Sequence, residues 1–350
     1  MSWVTSRARP DIVALEPYRH AAWEPGLARL HANELPWRTP RDDSQHGLNR
    51  YPEPQPRALI ERLAALYRSP TETLLATRGS DEAIDLLTRA FCRAGEDAVV
   101  VCPPTFGMYA AAARIQGARV VGVPLLSERG FALDAHAVLR ACGSDVKLVF
   151  LCSPNNPTGM LEPDEVVEGV LAAAPGLVVV DEAYGQFAPR SHVAAIADDA
   201  PLVVTRTFSK TWSLAALRLG YCIAPVDVVR ALEQVALPYH LDAAKQLAGR
   251  LALRFVAEME ARVAALVEER GRLMAGLAEL PVDVWPSAAN YVLFRPRPVD
   301  GHVAWQGLVD RSVLVRNCAS WPRLGGCLRV TVGTPDENDA FLKALDEVLS

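Results

Sequence analysis

The chain is expected to fold as an α/β protein, with a mostly parallel sheet covered by helices on both faces and a smaller α+β unit after it. Three observations lead there. Between Pro54 and Val204, short and wholly apolar runs alternate with stretches of helical periodicity, the pattern of a buried parallel sheet. A long helical stretch from about Lys245 to Leu280 then gives way to shorter alternating runs. A length of 350 residues, 50% of them hydrophobic, is enough to bury a large core and favours two domains over one.

The elements follow in order. Residues 1–43 are rich in Pro, Trp and Arg without clear periodicity, and read as an arm that packs on something else. Pro56 to Tyr67 has helical spacing, Leu74 to Thr77 is a short apolar strand, and Ser80 to Phe91 restarts a helix. Val99–Val101, Val120–Val123, Leu148–Leu151, Val178–Val180 and Val203–Val204 are the next expected strands. In the 245–280 stretch, Leu251, Phe255, Met259, Val263, Leu266, Leu273 and Leu277 keep helical spacing among charged residues. Val282–Trp285, Tyr291–Phe294, Val313–Val315 and Leu328–Val332 then alternate as strands of a smaller sheet, closed by a helix over Glu337 to Leu349.

Composition narrows the function classes. A net charge of −5, with no basic stripe interleaved with aromatics, gives no electrostatic case for nucleic acid. The start of the chain lacks the apolar core of a signal peptide and no apolar run reaches membrane-spanning length, so a cytoplasmic protein is expected. The seven cysteines are odd in number and form no C-x-x-C pair, which leaves reduced thiols as the default and no metal site. Motifs for phosphate-binding loops, dinucleotide folds, zinc proteases and serine hydrolases are absent.

The chemistry is carried by residues at the ends of the apolar runs. Val203-Val-Thr-Arg-Thr-Phe-Ser-Lys-Thr-Trp212 delivers Lys210 into a polar turn. Burial or a nearby cation frees such an amine to form an imine with an aldehyde cofactor, and the cofactor that needs it is pyridoxal phosphate. Leu177-Val-Val-Val180 ends in Asp181-Glu-Ala-Tyr184, placing Asp181 at the carboxyl end of a buried strand, where open α/β sheets bind ligands. Asp181 can keep the ring nitrogen protonated so that the ring takes up carbanion electrons. Tyr184 and Asn156, the latter in Cys152-Ser-Pro-Asn-Asn-Pro-Thr-Gly159, can reach the ring's phenolic oxygen. Gly79-Ser80-Asp81 follows a strand and opens a helix, so its backbone N–H groups and the helix dipole can receive the phosphate. Ser80 and Asp81 would cap that helix in any case. Arg218 offers a fork of donors to phosphate oxygens, and Thr207 and Ser209 add hydroxyls.

In this order, Asn155-Asn-Pro-Thr-Gly159, Asp181-Glu-Ala-Tyr184, Thr207-Phe-Ser-Lys210 and Arg218-Leu-Gly220 resemble the signature of fold-type I pyridoxal-phosphate aminotransferases. More narrowly, Leu48-Asn-Arg-Tyr-Pro52, Arg78-Gly-Ser-Asp-Glu82, Pro103-Pro-Thr-Phe-Gly-Met-Tyr109 and Gly326-Cys-Leu-Arg-Val-Thr-Val-Gly333 are similar to the histidinol-phosphate aminotransferase family, with a likeness running from about His31 to Gly333. The resemblance implies a seven-stranded, mostly parallel sheet in a large cofactor-binding domain over 44–245 and a small domain over 246–350. The 1–43 arm would join the small domain in part. It also implies a homodimer with shared active sites, Tyr51 reaching the cofactor phosphate of the neighbouring subunit. Phe106 would stack on the pyridine face, where tyrosine is the commoner residue. The role of Tyr109 is left open.

For the substrate, Arg329 matches the arginine that clamps a carboxylate in this superfamily. An arginine within an otherwise apolar strand demands an anionic partner. Arg316 supplies a second fork for a phosphate ester, and Arg323 is a third candidate whose loop position favours a solvated side chain. Asn290, beside Tyr291, matches a site-lining pair. Asn33-Glu34 resembles the start of an Asn-Glu-Asn-Pro motif but continues Leu35-Pro36, and Glu34 is the candidate partner for an imidazole. The implied reaction is transamination between L-histidinol phosphate and 2-oxoglutarate, with Lys210 as general base and acid. An aromatic aminotransferase, a threonine-phosphate decarboxylase and a non-catalytic pyridoxal-binding module are the alternatives.

Overall fold

The computed structural model describes residues 6–16, 18, 21, 27–44 and 47–350, so the arm expected over 1–43 lies partly outside the described residues. Seven strands form the larger sheet: β1 (Leu74–Thr77), β2 (Ala98–Val101), β3 (Arg119–Gly122), β4 (Val146–Cys152), β5 (Leu177–Asp181), β6 (Leu202–Thr207) and β7 (Gly220–Ile223). Their order is β1-β7-β6-β5-β4-β2-β3. Every neighbouring pair is parallel except those of β7, which runs antiparallel to both β1 and β6.

The central strands are apolar on both faces because both faces are covered. Val178, Val180 and Val204 pack into one core and Leu177, Val179 and Val203 into the other, the period-two alternation of a strand. The helices here are α1 (Pro10–Val13), α2 (Arg57–Tyr67), α3 (Gly79–Phe91), α4 (Met108–Gln116), α5 (Ala135–Ala141), α6 (Asp164–Ala173) and α7 (Val226–Val235). On α3, Ala83, Ile84, Leu87 and Phe91 are fully or almost fully buried. Each large one contributes about 1.5–3 kcal/mol relative to exposure, which anchors the helix whose first turn carries the candidate cradle.

The single helix expected over 245–280 is instead two, α8 (Ala243–Ala252) and α9 (Val256–Ala278). The break tucks Leu253 into the larger core, while Phe255 stays 54% exposed, so packing overrides the continuous periodicity. Beyond α9, β8 (Val282–Val284), β9 (Tyr291–Pro296), β10 (Arg316–Asn317) and β11 (Leu328–Thr331) form an antiparallel sheet in the order β10-β11-β9-β8. The strand expected at Val313–Val315 is displaced to β10. Val313 N–H is used to close α10 (Gly301–Asp310) by donating to Leu308 O, and Val315 O accepts from the Trp305 indole. The last helix, α11 (Pro335–Leu349), opens with a Thr334–Glu337 capping box. Leu273 and Leu277 of α9 pack with Phe294, Leu308, Leu328 and Phe341 in the core of this smaller unit.

Candidate active site

The cradle is built where β1 enters α3. Gly79 has a φ of +74°, the left-handed region that favours glycine. Facing it, Gly220 starts β7 so close that a Cβ there would lie 2.4 Å from the Gly79 carbonyl carbon and 2.6 Å from Ser80 N. Ser80 is buried, and the Asp81 carboxylate pairs with Arg218 at 3.0 Å. Arg218 also donates to Ser209 Oγ at 3.1 Å, and Thr207 Oγ1 donates to Ser209 Oγ at 3.0 Å. The first turn of α3, the Thr207 and Ser209 hydroxyls and the Arg218 guanidinium are therefore linked in one cluster, which brings the candidates Gly79, Ser80, Asp81, Thr207, Ser209 and Arg218 together.

Asp181 ends β5 with 2% of its surface exposed. One carboxylate oxygen accepts from Ala183 N at 3.0 Å and the other from the Tyr109 hydroxyl at 2.7 Å. Burial pushes its carboxyl above the ordinary range, against the pull of these hydrogen bonds. Tyr109 is fully buried and stacked on Phe150, with ring centroids 4.9 Å apart, and Phe106 meets it edge-on at 5.7 Å. Lys210 sends its amine to 5.5 Å from the centre of the Tyr184 ring. Burial, then the charges of Arg329 and Arg218, hold its ammonium below the ordinary lysine value.

The third wall comes from the smaller sheet. The Arg329 guanidinium lies over the Tyr291 ring at 4.8 Å and donates to the Asn156 side-chain oxygen, while its Nε is buried without a partner. The Asn156 side-chain oxygen is thus turned toward Arg329. Tyr291 donates to Asn155 O at 2.7 Å and stands edge-on to Tyr184 at 5.0 Å, joining the two sheets. Burial raises the Tyr184 phenol above its ordinary value. Asn290 O accepts from Val332 N and holds the start of β9. Arg316 is the register partner of Arg329, which puts both side chains on one face of the β10–β11 ladder; its guanidinium lies 5.9 Å from the Trp321 ring.

Three candidates are not brought to this cluster among the described residues. Tyr51, 48% exposed, stacks on Tyr239 at 4.6 Å. Asn33 sits at a left-handed turn with a φ of +56°. Glu34, the candidate imidazole partner, brackets the arm in this chain. Its buried carboxylate pairs with Arg29 at 2.8 Å and Arg50 at 2.9 Å, and accepts from Tyr51 N. Two features escaped the sequence reading: Tyr109 as the partner of Asp181, and a buried pair in which His240 Nδ1 lies 2.9 Å from Glu82 Oε2 behind the cradle.

The residues present fit a phosphorylated pyridine aldehyde. Gly220 approaches Gly79 so closely that no side chain fits between the two backbones, and the Asp181 carboxylate at the end of β5 is deeply buried. Lys210 adds an amine biased toward its neutral form by burial and by the charges of Arg329 and Arg218.

This sheet, with its lysine after β6 and carboxylate at the end of β5, defines a fold-type I pyridoxal-phosphate enzyme. The chain belongs to the aminotransferase class I and II family, whose profile matches residues 30–345. It is 44% identical over 353 residues to the histidinol-phosphate aminotransferase of Stenotrophomonas maltophilia, covering 98% of this chain and 96% of that one. The crystal structure of the Sinorhizobium meliloti histidinol-phosphate aminotransferase in complex with pyridoxal-5'-phosphate superposes with a TM-score of 0.78 at 25% identity, covering 86% of this chain and 83% of that one. The L-threonine-O-3-phosphate decarboxylase of Porphyromonas gingivalis gives 0.75 at 24% identity, covering 86% and 91%, a likeness of fold alone.

Proposed function

We propose that this aminotransferase moves the amino group of L-histidinol phosphate to 2-oxoglutarate, yielding imidazole-acetol phosphate and L-glutamate, a step of L-histidine biosynthesis. The geometric observation that carries the reading is the register pairing of Arg316 with Arg329. Two guanidinium groups on one face suit a phosphate ester, and Arg329 alone suits the carboxylate of 2-oxoglutarate. Near-complete coverage by relatives carrying that name supports it.

Bound pyridoxal phosphate supplies the electron sink for the negative charge that develops at the substrate Cα. The Asp181 carboxylate would face the ring nitrogen and hold a proton there. Tyr109 orients that carboxylate through its 2.7 Å hydrogen bond. The cradle of Gly79, Ser80, Asp81, Thr207, Ser209 and Arg218 would anchor the phosphate, Phe106 would cover the ring, and Tyr184 and Asn156 would reach its phenolic oxygen. Lys210 Nζ moves the proton from the substrate Cα, a task for which a neutral amine is required. Arg329, Arg316 and Asn290 fix the far end of the substrate, so the breaking Cα–H bond is aligned from two sides.

The working unit is proposed to be a cytoplasmic homodimer, Tyr51 serving the neighbouring subunit's cradle with Asn33 beside it in the arm. Among the described residues, no helix is long and apolar enough to cross a membrane. The large domain is assigned to 44–245 and the small one to 246–350. The test is the visible spectrum of the cofactor-loaded protein during addition of L-histidinol phosphate, with phenylalanine and threonine phosphate in parallel. Loss of the aldehyde form at the lowest concentration of histidinol phosphate, reversed by 2-oxoglutarate, is expected. Preferential response to phenylalanine would reassign the substrate.

A further inference from the structure

Arg206 alternates with Thr205 and Thr207 along β6, so it points to the opposite face of the sheet. There it borders a cavity of about 350 Å³ between the end of α2, the turn at Gln186, Trp212 and the first half of α9. The cavity is distinct in its lining from the Lys210 cluster, and none of its residues has a role in the reaction proposed above.

Its polar wall is unsatisfied. Arg206 Nε, Trp212 Nε1 and both amide atoms of Gln186 are buried without a hydrogen-bond partner. The Arg206 side chain is 5% exposed and Trp212 6%. A buried donor or acceptor left unpaired costs about 1–3 kcal/mol, so three donors and one acceptor on the residues of one cavity mark a place built for an occupant. The opposite edge of the guanidinium is already committed: it pairs with Glu182, donates to Ser191 Oγ at 2.8 Å and lies 5.3 Å from the Tyr67 ring. Glu182 in turn accepts from Ser191 Oγ at 2.8 Å and His192 N at 2.6 Å. The free edge therefore presents directed N–H groups beside a compensated ion pair.

The rest of the wall sets the class of ligand. Leu66, Met259, Val263 and Ala264 offer an apolar surface, and Glu260 adds a negative charge that disfavours a dianion. We propose that this cavity is a second ligand site, taking a small apolar monocarboxylate of about the size of an aromatic amino acid, its carboxylate held by Arg206, Trp212 and Gln186. Arg206 and Trp212 flank Lys210 in the chain, and Gln186 follows Tyr184, so an occupant touches both segments that carry reacting groups.

The holoenzyme, labelled with 5-fluorotryptophan, reports on the site directly. The chain has seven tryptophans, and the resonance of Trp212 is assigned from Trp212→Phe. Titration with 3-phenylpropionate should shift that resonance saturably, and phenethylamine should leave it in place. Ala264→Phe, which fills the cavity, and Gln186→Leu, which removes an amide donor, should each weaken the response about tenfold or more. Should Ala264→Phe lose its cofactor absorbance, Gln186→Leu alone decides. A Trp212 resonance that stays put, or that shifts equally in wild type and Gln186→Leu, overturns the assignment, since the second result would mean binding only at the Arg329 end.

Discussion

Replacing Tyr109 with phenylalanine isolates one hydrogen bond in the site. The ring and its 4.9 Å stack on Phe150 are kept, and only the hydroxyl that donates to Asp181 Oδ2 is lost. A hydrogen bond to a charged group contributes about 1.5–3 kcal/mol, so its loss should carry the Asp181 carboxyl further above its ordinary range. Burial already holds that carboxyl above its ordinary value, and the bond from Tyr109 favours its charged form, so its loss pushes in the same direction as burial. Two consequences follow for the apoprotein. A carboxyl with a raised folded-state pKa stabilises the fold only below its unfolded value, and that contribution fades as pH rises to the folded value; the variant widens that window upward. In the role proposed for Asp181, cofactor association draws on its ionised form, so the loss of affinity on acidification should begin at a higher pH than in wild type. Fluorescence titration of apoprotein with pyridoxal phosphate across pH is the assay. Superimposable wild-type and variant profiles would refute the claim that Tyr109 governs Asp181.

Lys210→Ala should abolish multiple turnover while the protein still folds, checked by circular dichroism beside the assay. Gly220→Ala forces a Cβ to within 2.4 Å of the Gly79 backbone, so a loss of about 1–3 kcal/mol in stability and a weaker hold on cofactor are expected from urea melts and cofactor titration. Arg316→Ala should raise KM for histidinol phosphate far more than for glutamate; equal losses would remove Arg316 from the phosphate-binding role. Glu162 is 3% exposed, and burial pushes its carboxyl up to about 7. Its folded value lies above the unfolded value of about 4.3, so its contribution is intact below that value and is lost as pH rises toward 7; Glu162→Gln should flatten this slope in melts between about pH 5 and pH 8.

The strand ends were the legible part of the site. Apolar runs ending in Thr77, Asp181 and Thr207 announce where a buried sheet stops and where polar chemistry begins, so Gly79, Asp181 and Lys210 could be placed from one dimension. β7 could not. Gly220-Tyr-Cys-Ile223 is short and opens with glycine, and it is a strand because β1 and β6 pair with it on either side. The turn at Leu253–Phe255 was hidden by apolar spacing that continues from Leu251 through Met259. Tyr109 lies on α4, whose alanine-rich sequence shows no sign of a carboxylate partner on a strand far along the chain. The ion pairs of Glu34 with Arg29 and Arg50 were not legible, because the bend of the arm that makes them leaves no periodic trace.

The segment between β6 and β7 is closed like a lasso. Thr207 is paired with Gly220, and Phe208 N donates to Leu219 O at 2.9 Å, so the loop that carries Ser209, Lys210 and Arg218 is cinched at its neck. Lengthening that loop would move the amine and the phosphate anchor together, whereas the arginines of β10 and β11 sit on a different sheet joined to it through side chains such as Tyr291. On the proposed roles of these residues, mutational change in what the enzyme accepts is free to accumulate around β10 and β11, with the bond-making apparatus inherited unaltered.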